Sequence, residues 1–225
     1  MDGSISLKQV QLSAGLEDRI RLGLVGFGGL SIGEYHVKLA QNIEGLTEEL
    51  RQSLANRQLS TLTIVERSRR LFHQFGLDPT KHRPSSEKLL RRVQKGRGFP
   101  RVNDFVDSMN LVSLRLQFPM GFYDWDHLVP PVLVRIGRPN ESFVGLEGDK
   151  IDLEGKIILV DGESPFGNPS SDSERGKISS STFRALVVLF APADVPREEL
   201  EEGIRDAAEA GETYCGGSAV TAMLP

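Results

Sequence analysis

Between residues 19 and 25, charged or small residues alternate with Ile20, Leu22 and Leu24, the period of two expected of a strand with one face buried. This segment runs into Gly26-Phe27-Gly28-Gly29, which reads as a turn. The third glycine of a dinucleotide-binding loop would fall on Ser31, and no acidic ribose partner stands at the right distance. Helices are predicted over 47–58 and 61–75. The second places Ile64, Val65, Ser68, Leu71, Phe72 and Phe75 at helical spacing and stops at Gly76. Asp78-Pro79-Thr80 is a turn, and Pro84 opens a third helix with Leu89, Leu90 and Val93 facing inward before Gly96 ends it.

Residues 102–113 also carry a helical pattern, with Val102, Phe105, Val106, Met109 and Val112 on one side. Asn103, Asp107 and Asn110 fall at i, i+4 and i+7 and form one polar stripe between Val106 and Leu111. Short polar side chains among apolar neighbours suit a half-buried hydrogen-bonding wall. They equally suit caps that bridge neighbouring loops, since buried polar groups are usually satisfied by backbone.

The pattern then changes to strands. Residues 114–118 alternate, 131–136 and 143–146 are short apolar runs, and 156–160 and 183–190 are strong aliphatic segments. Between the last two, residues 161–174 are rich in Gly, Pro, Ser and acids and read as a long loop, of the kind that commonly carries function. A final helix starts after Asp194-Val195-Pro196, buries Leu200, Ile204 and Ala207, and ends at Gly211. Neither a linker nor a repeat interrupts residues 1–225, so one domain is expected, of α+β class.

Composition narrows the function classes. With 39% hydrophobic and 26% charged residues the chain has the makings of an ordinary core. The lone Cys215 excludes an intrachain disulfide framework and reads as a small buried side chain, and Met1-Asp2-Gly3-Ser4 lacks the character of a secretory signal. The longest apolar run, 185–191, is too short to cross a membrane, so a soluble cytoplasmic protein without membrane contact is expected. His36, His73, His82 and His127 show no metal-ligand spacing, and neither a G-x-S-x-G elbow nor a phosphate-binding G-x-x-x-x-G-K-[ST] loop occurs. No metal and no cofactor are expected. The net charge of −4 hides a concentrated basic segment: residues 67–101 hold eleven Lys or Arg and two acids. Such a segment either solvates helix faces or binds a phosphate backbone.

The run 78–96, followed by Phe99-Pro100-Arg101-Val102-Asn103-Asp104-Phe105-Val106-Asp107-Ser108-Met109-Asn110, resembles the B3/B4 domain of the phenylalanyl-tRNA synthetase β subunit, and in particular free-standing homologues of that domain. The likeness continues through Pro119-Met120-Gly121-Phe122-Tyr123-Asp124, then 134–143 and 157–161, and covers roughly 67–191. It implies a layered fold with a β-sandwich-like sheet core and outer helices. It also implies an editing module that receives the aminoacylated 3′ end of tRNA and deacylates a wrongly attached amino acid, with tRNA and not DNA as partner. Carried over by position, the pocket wall includes Asn110 and the loop 119–124.

Two departures bear on specificity. Gly121 stands where many bacterial synthetases have histidine, and the later Gly-Gly-x-x-Ser-Glu-Val-Thr segment is replaced by Asp172-Ser173-Glu174-Arg175-Gly176-Lys177-Ile178-Ser179. Gly121 is expected to open room beside Phe122 and Tyr123, and Asp172 and Ser173 to hold an α-ammonium group. Asn110 and Asp172 are the candidate catalytic groups, and Gly121, Phe122, Tyr123 and Ser173 the candidate substrate contacts. Arg91, Arg92, Lys95 and Arg97 are the candidate RNA contacts. The expected activity is trans-acting hydrolysis of misacylated tRNA. A non-catalytic module that binds RNA or an amino acid is the alternative, and a fold kept for protein interaction alone is the third.

Overall fold

Two sheets packed face to face, with helices laid over the outer face of one of them, make a three-layer α+β arrangement. The computed structural model describes residues 5–225; Met1 to Ser4, inspected above for a signal segment, lie outside the described residues. In chain order the elements are β1 (Val10–Leu12), β2 (Ile20–Gly28), α1 (Val37–Ser53), α2 (Thr63–Gln74), α3 (Ser85–Gln94), α4 (Asp104–Leu116) and β3 (Met120–Asp124). There follow β4 (Val132–Ile136), β5 (Ser142–Val144), β6 (Lys150–Asp152), β7 (Ile157–Val160), β8 (Pro165–Asn168), β9 (Ser171–Asp172), β10 (Arg184–Pro192), α5 (Arg197–Cys215) and β11 (Ser218–Leu224). One sheet has the order β1-β4-β7-β8-β9 and the other β11-β2-β10-β3, while β5 and β6 form a separate hairpin. All pairings are antiparallel except that of β1 with β4.

The continuous apolar run of β10 follows from its central place. Leu186, Val188 and Phe190 face the opposing sheet, and Ala185, Val187, Leu189 and Ala191 face the helices. Its neighbour β2 is buried on both faces, not on one as its alternation suggests: Leu22 and Leu24 enter the sandwich while Val25 and Phe27 meet the helical layer. The small residues between them have a packing role, since a Cβ on Gly23 would press into Ile204 and Leu200 of α5. The predicted turn at Gly26-Phe27-Gly28-Gly29 is strand through Gly28, and the chain turns only at Gly29, where φ is +78°.

Helices α4 and α5 pack on this second sheet through Phe105, Met109, Val112, Leu200, Ile204 and Ala207, while Val102, assigned inward from the sequence, precedes α4 and is 61% exposed. A separate cluster of Leu54, Leu59, Val65, Leu89, Leu90 and Val93 joins α1, α2 and α3. The first predicted helix, 47–58, is instead Val37–Ser53, capped by His36 Nδ1 accepting from the Leu39 amide at 3.4 Å. The alternating 114–118 is not a strand. Leu114 and Leu116 close α4, which ends at Gln117 in the left-handed region with φ 56°. The predicted loop 161–174 holds β8 and β9, which extend the first sheet. Finally α5 passes through Gly211 to Cys215, because Gly211 lies against the Phe27 ring and does not terminate the helix; Cys215 is buried. The unpredicted β11 then covers the edge of β2.

Candidate functional site

Three depressions meet at Lys88 of α3. The first, of about 460 Å³, runs along the outer side of α3 and is lined by Arg91, Arg92, Lys95, Arg97 and, from α4, Asn110. The second, of about 260 Å³, lies between α3, the β5–β6 turn and the β8–β9 turn, with Asp172 and Asp149 in its wall. The third opens on the α2 side. Lys88 Nζ donates to the Ser170 carbonyl at 2.9 Å, which fixes the junction, and desolvation there, with Arg83 adding repulsion, lowers the lysine's pKa.

Of the groove cations, Arg91 and Arg83 are positioned from beneath by a single carboxylate. Glu87 is fully buried on the inner side of α3. Arg69 of α2 donates to it from Nε and Nη2, both at 2.7 Å, and Arg91 Nε donates at 2.7 Å. Arg83 Nε stands 3.5 Å from the same group. Burial alone would raise the Glu87 carboxyl, but Arg69 and Arg91 outweigh it and hold its pKa below the usual range. Arg92 donates to the Gly98 carbonyl at 2.9 Å, and no hydrogen-bond acceptor or carboxylate among the described residues engages the side chains of Lys95 and Arg97. The groove therefore presents cations that are anchored at the base and free at the rim.

The polar stripe of α4 divides between the two roles open to it. Asn103 caps the helix, its Oδ1 accepting from the Val106 amide at 2.9 Å, and Asp107 accepts from the Val102 amide at 2.9 Å and from Arg101 at 2.5 Å. Burial raises the Asp107 pKa despite these donors. Both residues bridge local backbone. Only Asn110 reaches the groove.

Tyr123 lies between the sheets, fully buried, its ring edge-on to Phe166 with centroids 4.8 Å apart. Its hydroxyl donates to Asp172 Oδ1 at 2.6 Å. A Cβ on either Gly121 of β3 or Gly167 of β8 would collide with the Tyr123 hydroxyl, so the two glycines are the space through which the ring passes. The room expected beside Gly121 is thus filled by Tyr123 itself. Phe122 points the other way, into the helical layer, because neighbours on a strand face opposite sides. Ser173 is buried and its Oγ accepts from the Arg175 amide at 3.2 Å, closing a short 3₁₀ turn, so it stands apart from the Asp172 depression. Asp172 itself is half-buried; desolvation raises its pKa to about 7, against the pull of Tyr123 and Lys88. Burial, followed by the nearby Asp172, pushes Tyr123 well above the ordinary phenol value.

The span that carries every one of these groups, residues 67–211, matches the family model for the B3/4 domain. The chain belongs to the B3/4 domain family. As a B3/4 domain it is similar to curated phenylalanine–tRNA ligase β subunits. That of Synechococcus sp. (strain JA-2-3B'a(2-13)) is 29% identical over 133 residues, covering 54% of this chain and 16% of the relative. That of Synechococcus sp. (strain CC9605) is 31% identical over 164 residues, covering 67% and 20%. The chain therefore spans a fifth or less of the length of these relatives. Among solved structures, an N-terminal fragment of the phenylalanyl-tRNA synthetase β subunit from Pyrococcus horikoshii aligns with a TM-score of 0.49 and 15% identity, covering 96% of this chain and 54% of the fragment. Within the B3/4 span, sequence reasoning brought forward Asn110, Tyr123 and Asp172 but left Lys88 as one charge among eleven. Lys88 shares the face of α3 that carries Arg91, Arg92 and Lys95, at i+3, i+4 and i+7, so no sequence signal set it apart; only its contact with Ser170 does.

Proposed function

We propose that this B3/4 domain hydrolyses the ester joining an amino acid to the 3′ end of a misacylated tRNA, acting in trans. The observation that carries this reading is the continuity, at Lys88, of a cationic groove with a depression holding a carboxyl poised near neutral pH. The names of the relatives, phenylalanine–tRNA ligase β subunits, point to tRNA as the partner class. In this reading Arg91, Arg92, Lys95 and Arg97 contact phosphates and Asn110 offers its amide from the groove wall. Asp172 is tied to Tyr123 through one oxygen only. Its other oxygen takes a proton from water as the water oxygen bonds to the acyl carbon; the ester C–O bond then breaks and the ribose oxygen receives that proton. A carboxyl with a pKa of about 7 is partly ionised at neutral pH and can both accept and return it. Ester cleavage of this kind needs positioning and carbonyl polarisation more than a nucleophilic triad.

The test is release of amino acid from a panel of correctly and incorrectly charged tRNAs. Selective release of a mischarged species, abolished by Asp172→Asn and reduced by Asn110→Ala, is expected. Full release by both variants would remove the proposed mechanism. The enzyme-dependent rate should rise with pH through about 7 and level off above it, as the base becomes fully ionised. A non-catalytic RNA- or amino-acid-binding module is favoured by one observation: Tyr123 fills the space beside Gly121, leaving no recess there for an acyl side chain. An inert panel with retained tRNA binding decides for that second reading.

A further inference from the structure

The third depression, about 270 Å³, opens between the end of α2, the turn that follows it and the β6–β8 side of the sandwich. Leu71, Phe72, Phe75, Leu77 and Ile157 give it an apolar side. Five cations, Lys81, Arg83, Lys88, Lys150 and Lys156, surround it against one carboxylate, Asp152. Internal pairing leaves most of this charge uncompensated. Lys156 stands 3.8 Å from Asp152 and Arg83 3.5 Å from Glu87, while Lys81 and Lys150 have no carboxylate partner among the described residues. In a chain of net charge −4 this is a local concentration of positive charge over an apolar surface.

Asn168 supplies direction. It is only 4% exposed and lines the cavity. Its Oδ1 accepts from the Ser170 amide at 2.7 Å and the Ser171 amide at 3.1 Å, which fixes the orientation of the side chain. No acceptor among the described residues meets its Nδ2, so a donor that still reaches solvent is left for an occupant. A zwitterionic amino acid would bring an ammonium against the cations, and a simple carboxylate neutralises one charge only. A phosphate attached to a flat ring with acceptors on its edge matches the charge, the apolar side and the free amide together.

We infer that this cavity binds a nucleoside monophosphate unit, with the base on the Phe72 and Phe75 side, an edge acceptor toward Asn168 Nδ2 and the phosphate among Lys81, Lys88 and Lys150. The unit is either a free nucleotide or the terminal nucleotide of an RNA. The inference is independent of ester hydrolysis at Asp172.

Calorimetric titration of the full chain at low salt with the four nucleoside 5′-monophosphates, inorganic phosphate and 3-phenylpropionate tests it. At least one nucleotide is expected to bind, with phosphate and phenylpropionate each weaker by at least about tenfold, since each engages only part of the site. Lys81→Glu combined with Lys150→Glu, both exposed positions, should weaken the nucleotide at least about tenfold. Asn168→Asp keeps the acceptor that holds the Ser170 and Ser171 amides and removes the donor, and should also weaken it. Silence from all four nucleotides, equal binding of inorganic phosphate, or undiminished binding by the lysine double variant overturns the inference. A short single-stranded RNA with a free 3′ end assigns the source: displacement of bound nucleotide places an RNA terminus in the site, and lack of displacement places a free nucleotide there, both with the site upheld. Asp172-dependent hydrolysis in a protein that fails these titrations would sink this inference alone, and nucleotide binding without hydrolysis would sink the other.

Discussion

Asp172 and Glu87 are two carboxyls of the B3/4 span with opposite electrostatic fates. Glu87 is met by three guanidinium groups and stays ionised; Asp172 is met by a phenol hydroxyl and one lysine, and desolvation wins. Because the folded pKa of Asp172 is raised from 3.8 to about 7, the folded chain holds a proton between those values that the unfolded chain has released. Stability contributed at this position is therefore lost as pH rises from about 4 to about 7 and changes no further above that. Asp172→Asn keeps an oxygen for the Tyr123 hydroxyl and removes the charge. It should raise the thermal midpoint at about pH 8, a gain of about 1–2 kcal/mol once partial exposure is allowed for, and leave the midpoint near pH 4 unchanged. Glu87→Ala should act the other way. Leaving Arg69 half-buried without its partner should cost about 3–5 kcal/mol in urea unfolding.

At the scale of elements, the sequence pattern is most readable where an element has one buried stripe. Helices α2, α3 and the core side of α4 were legible from Val65, Leu71, Leu89, Val93, Phe105 and Met109, whose spacing repeats with the helix. Where both faces are buried the pattern loses its period, and β2 was read as half-exposed for that reason. Residues 114–118 satisfied the period of two over too short a window to exclude a helix end. Gly211 is a case in which a helix stop signal has a packing purpose. Gly211→Ala gains about 1 kcal/mol of helix propensity but drives a methyl into the Phe27 ring, and should lose about 1–3 kcal/mol to overpacking. A net fall in the thermal midpoint is the expected result, and a rise would show that α5 can shift away from β2.

On the scale of the whole molecule, an acidic chain carries a basic face built from α3 and the segment after it. Lys95→Glu combined with Arg97→Glu changes two exposed residues without disturbing the Glu87 anchor. Under the proposed function it should weaken tRNA binding about tenfold or more and reduce the slope of log affinity against log salt by about 1.5, the change that losing two phosphate contacts would produce. Unchanged affinity and slope would return these residues to the role of solvating a helix.

The sequence by itself determined the α+β class, the helices with a single apolar stripe, the central strand β10, the basic segment and the family resemblance that the match over 67–211 bears out. These rest on local periodicity and on contiguous residues. Only the tertiary structure decided that 161–174 contains two strands and that Tyr123 occupies the space beside Gly121. It also decided that Asp172 is desolvated and that Lys88 joins three depressions. Each of these depends on partners far apart in the chain, Tyr123 with Asp172 at 49 residues and Lys88 with Ser170 at 82. Burial and electrostatics at such a site are set by which distant surfaces close over it, and no window of sequence carries that information.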